Sequence, residues 1–222
     1  MTTRPSTDPA PDPAIGRRRF LVAGAAGAVA VTALGVFGAP VASAGASSTT
    51  PSTAAAKPPS ATHDLEAAAL AAGLEVLAVG AYKSMLDATA AGSLGTVPAA
   101  GVAYANIAMS HHQTHLDRWN ARLQAAGRPI VTLPNSRLKL KIDRALAQAK
   151  DFTYAAKLAR DLEETAAATY LRAIPTLQSP DAVNLAGSIH IIDMAHVAIL
   201  NYVLGEYPVP DTFAETGKAA SA

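Results

Sequence analysis

Ser110-His111-His112-Gln113-Thr114-His115-Leu116-Asp117 places three histidines within five residues. The residues around it have helical periodicity. Val102, Ala105, Met109, His112, Leu116, Trp119 and Leu123 recur at steps of three and four and make one apolar stripe. His112 lies at the centre of that stripe, His115 beside it, and His111 further round on the flank. A buried polar group without a partner costs several kcal/mol. Partners for these histidines have to come from other segments.

Three other segments have the same helical pattern. The first runs from about Thr62 to Ala90, with Ala68, Ala72, Glu75, Val79, Tyr82 and Leu86 on its inner stripe; Glu75 is the only charge there. The histidine helix itself starts near Thr96, with Pro98 in its first turn, and ends before Gly127. The third runs from about Asp151 to Ile174 and stops at Pro175. Phe152, Ala156, Ala159, Glu163, Ala167, Tyr170 and Ile174 share one face. Glu164 points about 100° away, toward the side of Arg160. The fourth opens at Ser179-Pro180-Asp181, a good N-cap and first turn, and ends at Gly205. Its stripe is Ala182, Leu185, Ile189, Asp193, His196, Leu200 and Val203.

Between helices two and three the chain is broken at Gly127-Arg128-Pro129 and at Leu133-Pro134-Asn135. A short helix with a basic, solvated outer face follows from Arg137 to Gln148. So long a connection suits a crossover along the length of a bundle. The expected fold is all-α: a four-helix bundle over residues 62–207, a long crossover between helices two and three, and an irregular tail over 208–222.

Each main helix carries a metal-capable group near the middle of its stripe: Glu75, then His112 with His115, then Glu163, then Asp193 with His196. Residues three apart on a helix lie on nearly the same face, so two of them can serve one ion or two adjacent ions. Imidazole with carboxylate suits iron or manganese first, and zinc as well. Tyr82, Tyr170 and Trp119 read as core residues, and His63 as solvated. His111 and His190 flank the two histidine motifs as candidate supporting groups. His111 and His115 lack the adjacent Glu that a zinc protease uses as a base, and no nucleophile triad or phosphate loop is present.

Several of these pieces, in this order, resemble the exported ferritin-like domain family of bacteria. They are Leu74-Glu75, His111-His112-Gln113-Thr114-His115, Leu162-Glu163-Glu164-Thr165 with Tyr170, Asp193-Met194-Ala195-His196, and Leu204-Gly205 before Pro208-Val209-Pro210. The resemblance covers about Asp64 to Asp211. It implies a ferritin-like bundle with a di-iron-like site. The chain departs from that pattern at three places. His112 stands where the family has the Glu of His-Glu-x-x-His, Asp193 replaces a Glu, and Ala78 stands where a second helix-one Glu is often found. Three carboxylates and three histidines remain, a set that leaves open one metal, a mixed pair or none.

The N-terminal region points to export. Gly16-Arg17-Arg18-Arg19-Phe20-Leu21 precedes an uncharged run from Phe20 to Ala39, and Ala42-Ser43-Ala44 offers a small-x-small cleavage site. The paired arginines resemble a twin-arginine signal, with Gly16 where Ser or Thr is commoner. That likeness implies passage of a folded, often metal-loaded chain through the twin-arginine machinery. Residues 1–44 are expected to be the signal, cleaved in export or kept as a membrane anchor. Residues 45–61, rich in Ser, Thr, Ala and Pro, are expected to be a linker.

The formal charge is +1, and Arg4, Arg17, Arg18 and Arg19 all fall in the signal region. The remainder is near neutral, which argues against a nucleic-acid partner. Without cysteine there are no disulfides and no thiolate ligands. The expectation is an exported protein, in the periplasm, envelope or medium, with metal ions as its partners and redox or oxygen chemistry at Glu75, His112, His115, Glu163, Asp193 and His196. The alternative is a metal-free exported bundle with a structural, stress-related or partner-binding role. Nothing marks a cage-forming surface for mineral storage, and neither substrate nor oligomeric state is specified.

Overall fold

Among the described residues, 59–220 of a computed structural model, five α-helices follow one another. They are α1 (Pro59–Ala90), α2 (Ala99–Ala125), α3 (Ser136–Gln148), α4 (Phe152–Ala173) and α5 (Pro180–Val203). The expected signal, 1–44, and most of the expected linker lie outside the described residues. The helix starts at Pro59 rather than Thr62. Pro175 does not end the third main helix abruptly, because a 3₁₀ turn, Ile174–Thr176, carries the chain through it.

Helix ends follow from local chemistry. Asn135 and Asp151 cap α3 and α4 by accepting from the N–H groups of Leu138 (3.1 Å) and Tyr154 (2.7 Å). Gly127, at φ +70°, closes α2: its N–H reaches the Gln124 carbonyl at 2.9 Å, and the Arg128 N–H reaches Leu123 at 2.8 Å. Only a residue that tolerates left-handed backbone can make this turn cheaply.

Two close helix pairs, α1 with α2 and α4 with α5, join along α1 and α4. One end of the bundle is pinned by polar contacts. The Asp64 carboxylate accepts from the backbone of Gln178 (2.9 Å) and Ser179 (2.7 Å), while Arg122 donates to the Ser179 hydroxyl at 3.1 Å. The start of α1, the end of α2, the end of α4 and the start of α5 therefore meet there. So α2 and α4 run parallel, and the chain must travel the bundle's length between them. α3, packed on α1 and α4, covers that distance and is the expected crossover. Arg137, Lys139, Lys141 and Arg144 on it are exposed, as a solvated face requires. Ser179 stands at the N-cap of α5, but its hydroxyl makes no cap. Asp64, from another helix, accepts from the N–H of Ser179 itself.

The tail is irregular but docked. Lys218 pairs with Glu164, so Glu164 finds its partner in the tail, while Arg160 pairs with Glu206 at 2.6 Å. The Ala220 N–H donates to Thr169 Oγ1 at 2.8 Å, and Arg172 bonds the Ala220 carbonyl.

The apolar core falls into two blocks. One contains Leu65, Leu116, Trp119, Leu123, Leu177 and Ile189; the other contains Leu77, Met85, Ala108, Ile142, Leu158 and Leu200. Between them lies a layer of buried polar side chains.

Asp64 is buried, and both its bonds are to backbone groups with no other partner nearby. Asp64→Ala is expected to lower the unfolding free energy by about 2–3 kcal/mol, read as a reduced urea midpoint at unchanged slope. A midpoint equal to that of the parent would refute the pinning role.

Candidate metal centre

The polar layer contains all six residues picked out by their spacing. Glu75 comes from α1, His112 and His115 from α2, Glu163 from α4, and Asp193 and His196 from α5. Glu75, His112, Glu163 and Asp193 are each exposed by less than 2%, and His196 is buried. His115, with 12% of its side chain exposed, is at the margin.

His112 occupies the middle. Its Nδ1 lies 2.7 Å from Glu75 Oε2 and its Nε2 lies 3.1 Å from Glu163 Oε1. Each carboxylate also accepts from a tyrosine: Tyr170 donates to Glu75 Oε1, and Tyr82 to Glu163 Oε1. Trp119 Nε1 donates to the Tyr170 hydroxyl at 2.9 Å, and the Tyr104 hydroxyl lies 2.9 Å from that of Tyr82. Tyr82, Tyr170 and Trp119 are core residues, as expected. They also orient the two glutamates, which the sequence reading missed. The signal for it was Glu75 with Tyr82, and Glu163 with Tyr170, at the same two-turn spacing.

Burial alone would push both glutamates up, but His112 reverses this. Its positive charge and hydrogen bonds bring Glu163 down to about 2, and with His115 close by they hold Glu75 below the usual range. Burial works against the His112 cation too, but the two carboxylates keep it protonated well above the ordinary histidine range. Tyr82 and Tyr170 are pushed far up by burial and by the adjacent carboxylate charge, so both remain hydrogen-bond donors.

Asp193 differs. Both its oxygens are buried without a hydrogen-bond partner, and burial, reinforced by the Glu75 charge, raises its pKa well above the usual range. Glu163 Oε2, His196 Nδ1 and His115 Nδ1 are also buried and unpartnered. Glu163 Oε2 and His196 Nδ1 are 3.2 Å apart yet not aligned as donor and acceptor. Two ligands held at about 2.1 Å from one cation, at right angles, stand about 3 Å apart. Donor atoms of His112, Glu163, Asp193 and His196 lie within 4.8 Å of one another, and those of Glu75, His112 and His115 form a second such group. Glu75 and Glu163 outnumber the one His112 cation. Ionising Asp193 would leave the layer short of positive charge by what a divalent ion carries. The residues fit a metal ion, and the fit is best on the Asp193 side.

His111 lies outside the layer but touches it. Its Nδ1 is 3.0 Å from His196 Nε2, and the rings stack at 10°. Burial and neighbouring His196 hold His111 below its ordinary pKa, hence neutral. It can then accept the Nε2 proton of His196, which leaves His196 Nδ1 as a bare lone pair aimed at Glu163 Oε2 and Asp193. His190 bonds the Ala167 carbonyl at 3.0 Å and takes no part.

The ferritin-like domain family matches residues 46–206. The chain belongs to that family. Neither the curated proteins nor the solved structures give a match. In this ferritin-like chain, His112 sits between the two glutamates and bonds both.

Tyr170→Phe should leave a buried Glu75 oxygen with no donor. The expected cost is about 1–3 kcal/mol, seen in urea unfolding of metal-free protein. A cost below about 0.5 kcal/mol would show that Tyr170 does not support Glu75.

Proposed function

We propose that this ferritin-like protein is exported and binds a single transition-metal ion between Glu163, Asp193 and His196. His112, bonded through both ring nitrogens to Glu75 and Glu163, lies beside this group. The observation that carries the proposal is the set of buried, unpartnered oxygen and nitrogen atoms on that side of the layer. A carboxylate-rich donor set with imidazole favours iron or manganese over zinc. When bound, such an ion supplies one-electron chemistry toward oxygen or peroxide.

The protein's own residues set the terms of that chemistry. His112 holds Glu75 and Glu163 apart, Tyr82 fixes which Glu163 oxygen is free, and His111 fixes the tautomer of His196. A crevice of about 310 Å³ beneath α3 reaches His112 between Leu74, Leu77, Leu138, Ile142 and Leu162. It is a route for a small molecule to reach the layer. Export rests on Arg17-Arg18, the uncharged run after them and Ala42-Ser43-Ala44.

One observation favours a metal-free reading, in which the layer is a structural network. Both nitrogens of His112 are already bonded, so the central cation can be the imidazolium itself.

Purifying the exported chain and measuring its N-terminus and metals separates the readings. The expected results are a chain beginning at Gly45 and about one equivalent of iron or manganese per chain. His112→Glu should raise this toward two, and Asp193→Asn should abolish it. Less than about a tenth of an equivalent, with no rise in Tm on adding iron, manganese or zinc, would establish the metal-free network. A chain starting before Gly45 would remove the cleavage step.

A second measurement concerns His111. His111→Ala should weaken metal binding by about 10–100-fold, measured by competition with a chelator, while Tm of the metal-free chain stays within a degree or two of the parent. Unchanged affinity would rule out its orienting role.

A further inference from the structure

Where α1 ends and α2 begins, the helices spread around a cavity of about 680 Å³. Among the described residues, no charged side chain lines it. The space exists because Ala100, Ala105, Ala155, Ala156 and Ala159 stand on the stretches of α2 and α4 that border it, while Gly101 makes room for the Phe152 ring. A bundle core meant to be filled places leucine-sized residues at such positions. The volume lies in the range of small-molecule pockets, and the space opens to solvent past the exposed Ile199, Tyr202 and Val203.

Tyr82 and Tyr104 both line this cavity, and their linked hydroxyls connect it to the polar layer. Counting protons assigns the direction of each bond. Tyr82 has one hydroxyl proton, and Glu163 holds it. The proton between the two tyrosines therefore belongs to Tyr104, which donates to Tyr82. The Tyr104 oxygen then has lone pairs to offer and no proton. It can accept a hydrogen bond from an occupant but cannot donate one. The Tyr104 ring also meets His196 edge-on at 5.8 Å, so an occupant at this oxygen lies beside the proposed metal ligands.

We propose that this cavity binds an uncharged, apolar small molecule carrying a hydroxyl group, with its O–H donating to Tyr104. A carboxylate of the same size is rejected. It brings no donor for Tyr104 and, among the described residues, finds no cation in the lining. A plain hydrocarbon fits the walls but leaves the Tyr104 bond unmade. This inference goes beyond the metal proposal and stands without it, because the cavity and the Tyr104–Tyr82–Glu163 line are formed by the chain alone.

Calorimetric titration of the purified chain with 4-propylphenol, propylbenzene and 4-propylbenzoate tests it. Propylphenol should bind about five- to tenfold more tightly than propylbenzene, as one net hydrogen bond allows, and propylbenzoate should not bind. Tyr104→Phe should erase that preference while leaving propylbenzene affinity within about twofold. Ala155→Leu, which fills part of the cavity, should weaken both ligands about tenfold or more; if that variant does not fold, Tyr104→Phe still decides. No binding of propylphenol at millimolar concentration, equal affinities for propylphenol and propylbenzene, or a preference that survives Tyr104→Phe would each overturn the proposal. Metal content is measured separately. A metal-free chain that prefers propylphenol keeps this inference and sinks the metal reading; a metal-loaded chain that ignores propylphenol does the reverse.

Discussion

A histidine cation held between two ionised glutamates, all three nearly inaccessible to water, sets the terms for the rest of this bundle. Taking three charges out of water is expensive, and their mutual attraction repays this only when the remaining lone pairs are satisfied as well. The chain meets that condition with two tyrosines, one for each glutamate, and a tryptophan behind one of them. The two apolar blocks bound this layer on either side. Removing one member therefore leaves an uncompensated group in a region with little water to hydrate it. For that reason the layer should fail as a unit rather than residue by residue.

The arrangement has an internal two-fold pattern. Glu75 and Tyr82 on α1 match Glu163 and Tyr170 on α4, and each tyrosine donates to the glutamate of the other helix. His112 with His115 on α2 matches Asp193 with His196 on α5 at the same i, i+3 spacing. The symmetry is broken where His112 faces Asp193. Where His112 stands, both carboxylates are already bonded. Where Asp193 stands, nothing among the described residues answers its two oxygens. That imbalance makes the Asp193 side the place for an added cation.

Much of this could be read from spacing. A charge or imidazole in the middle of an otherwise apolar stripe is conspicuous, and four stripes each carrying one leave few ways to pack. Glu75, His112, Glu163 and Asp193 therefore stand out in the sequence itself, as does the crossover, from the length of the connection. Contacts between helices far apart in sequence were not visible. Asp64 looks like an ordinary acid near the start of the first helix, and only the packed bundle shows it holding the Gln178 and Ser179 N–H groups. Tyr82 and Tyr170 look like aromatic core, because hydrophobic periodicity records that a side chain is buried and not where its hydroxyl ends. His111 lies off the stripe, and its bond to His196 depends on the rotation of α5.

The small residues around the cavity bear on why Tyr82 donates to Glu163 at all. A tyrosine in that position with a filled core above it could only be a structural donor. Here its hydroxyl is the middle of a line from an open apolar space, through Tyr104, to a glutamate whose other oxygen is unpartnered. A change in the charge carried by Glu163 alters how strongly Tyr82 holds its proton, and through Tyr82 how strongly Tyr104 donates to it. The acceptor strength of the Tyr104 oxygen then follows the state of the polar layer. The alanines that leave the space open thus place an occupant within one hydrogen-bonded line of the bundle's buried charges, while excluding it from direct contact with them.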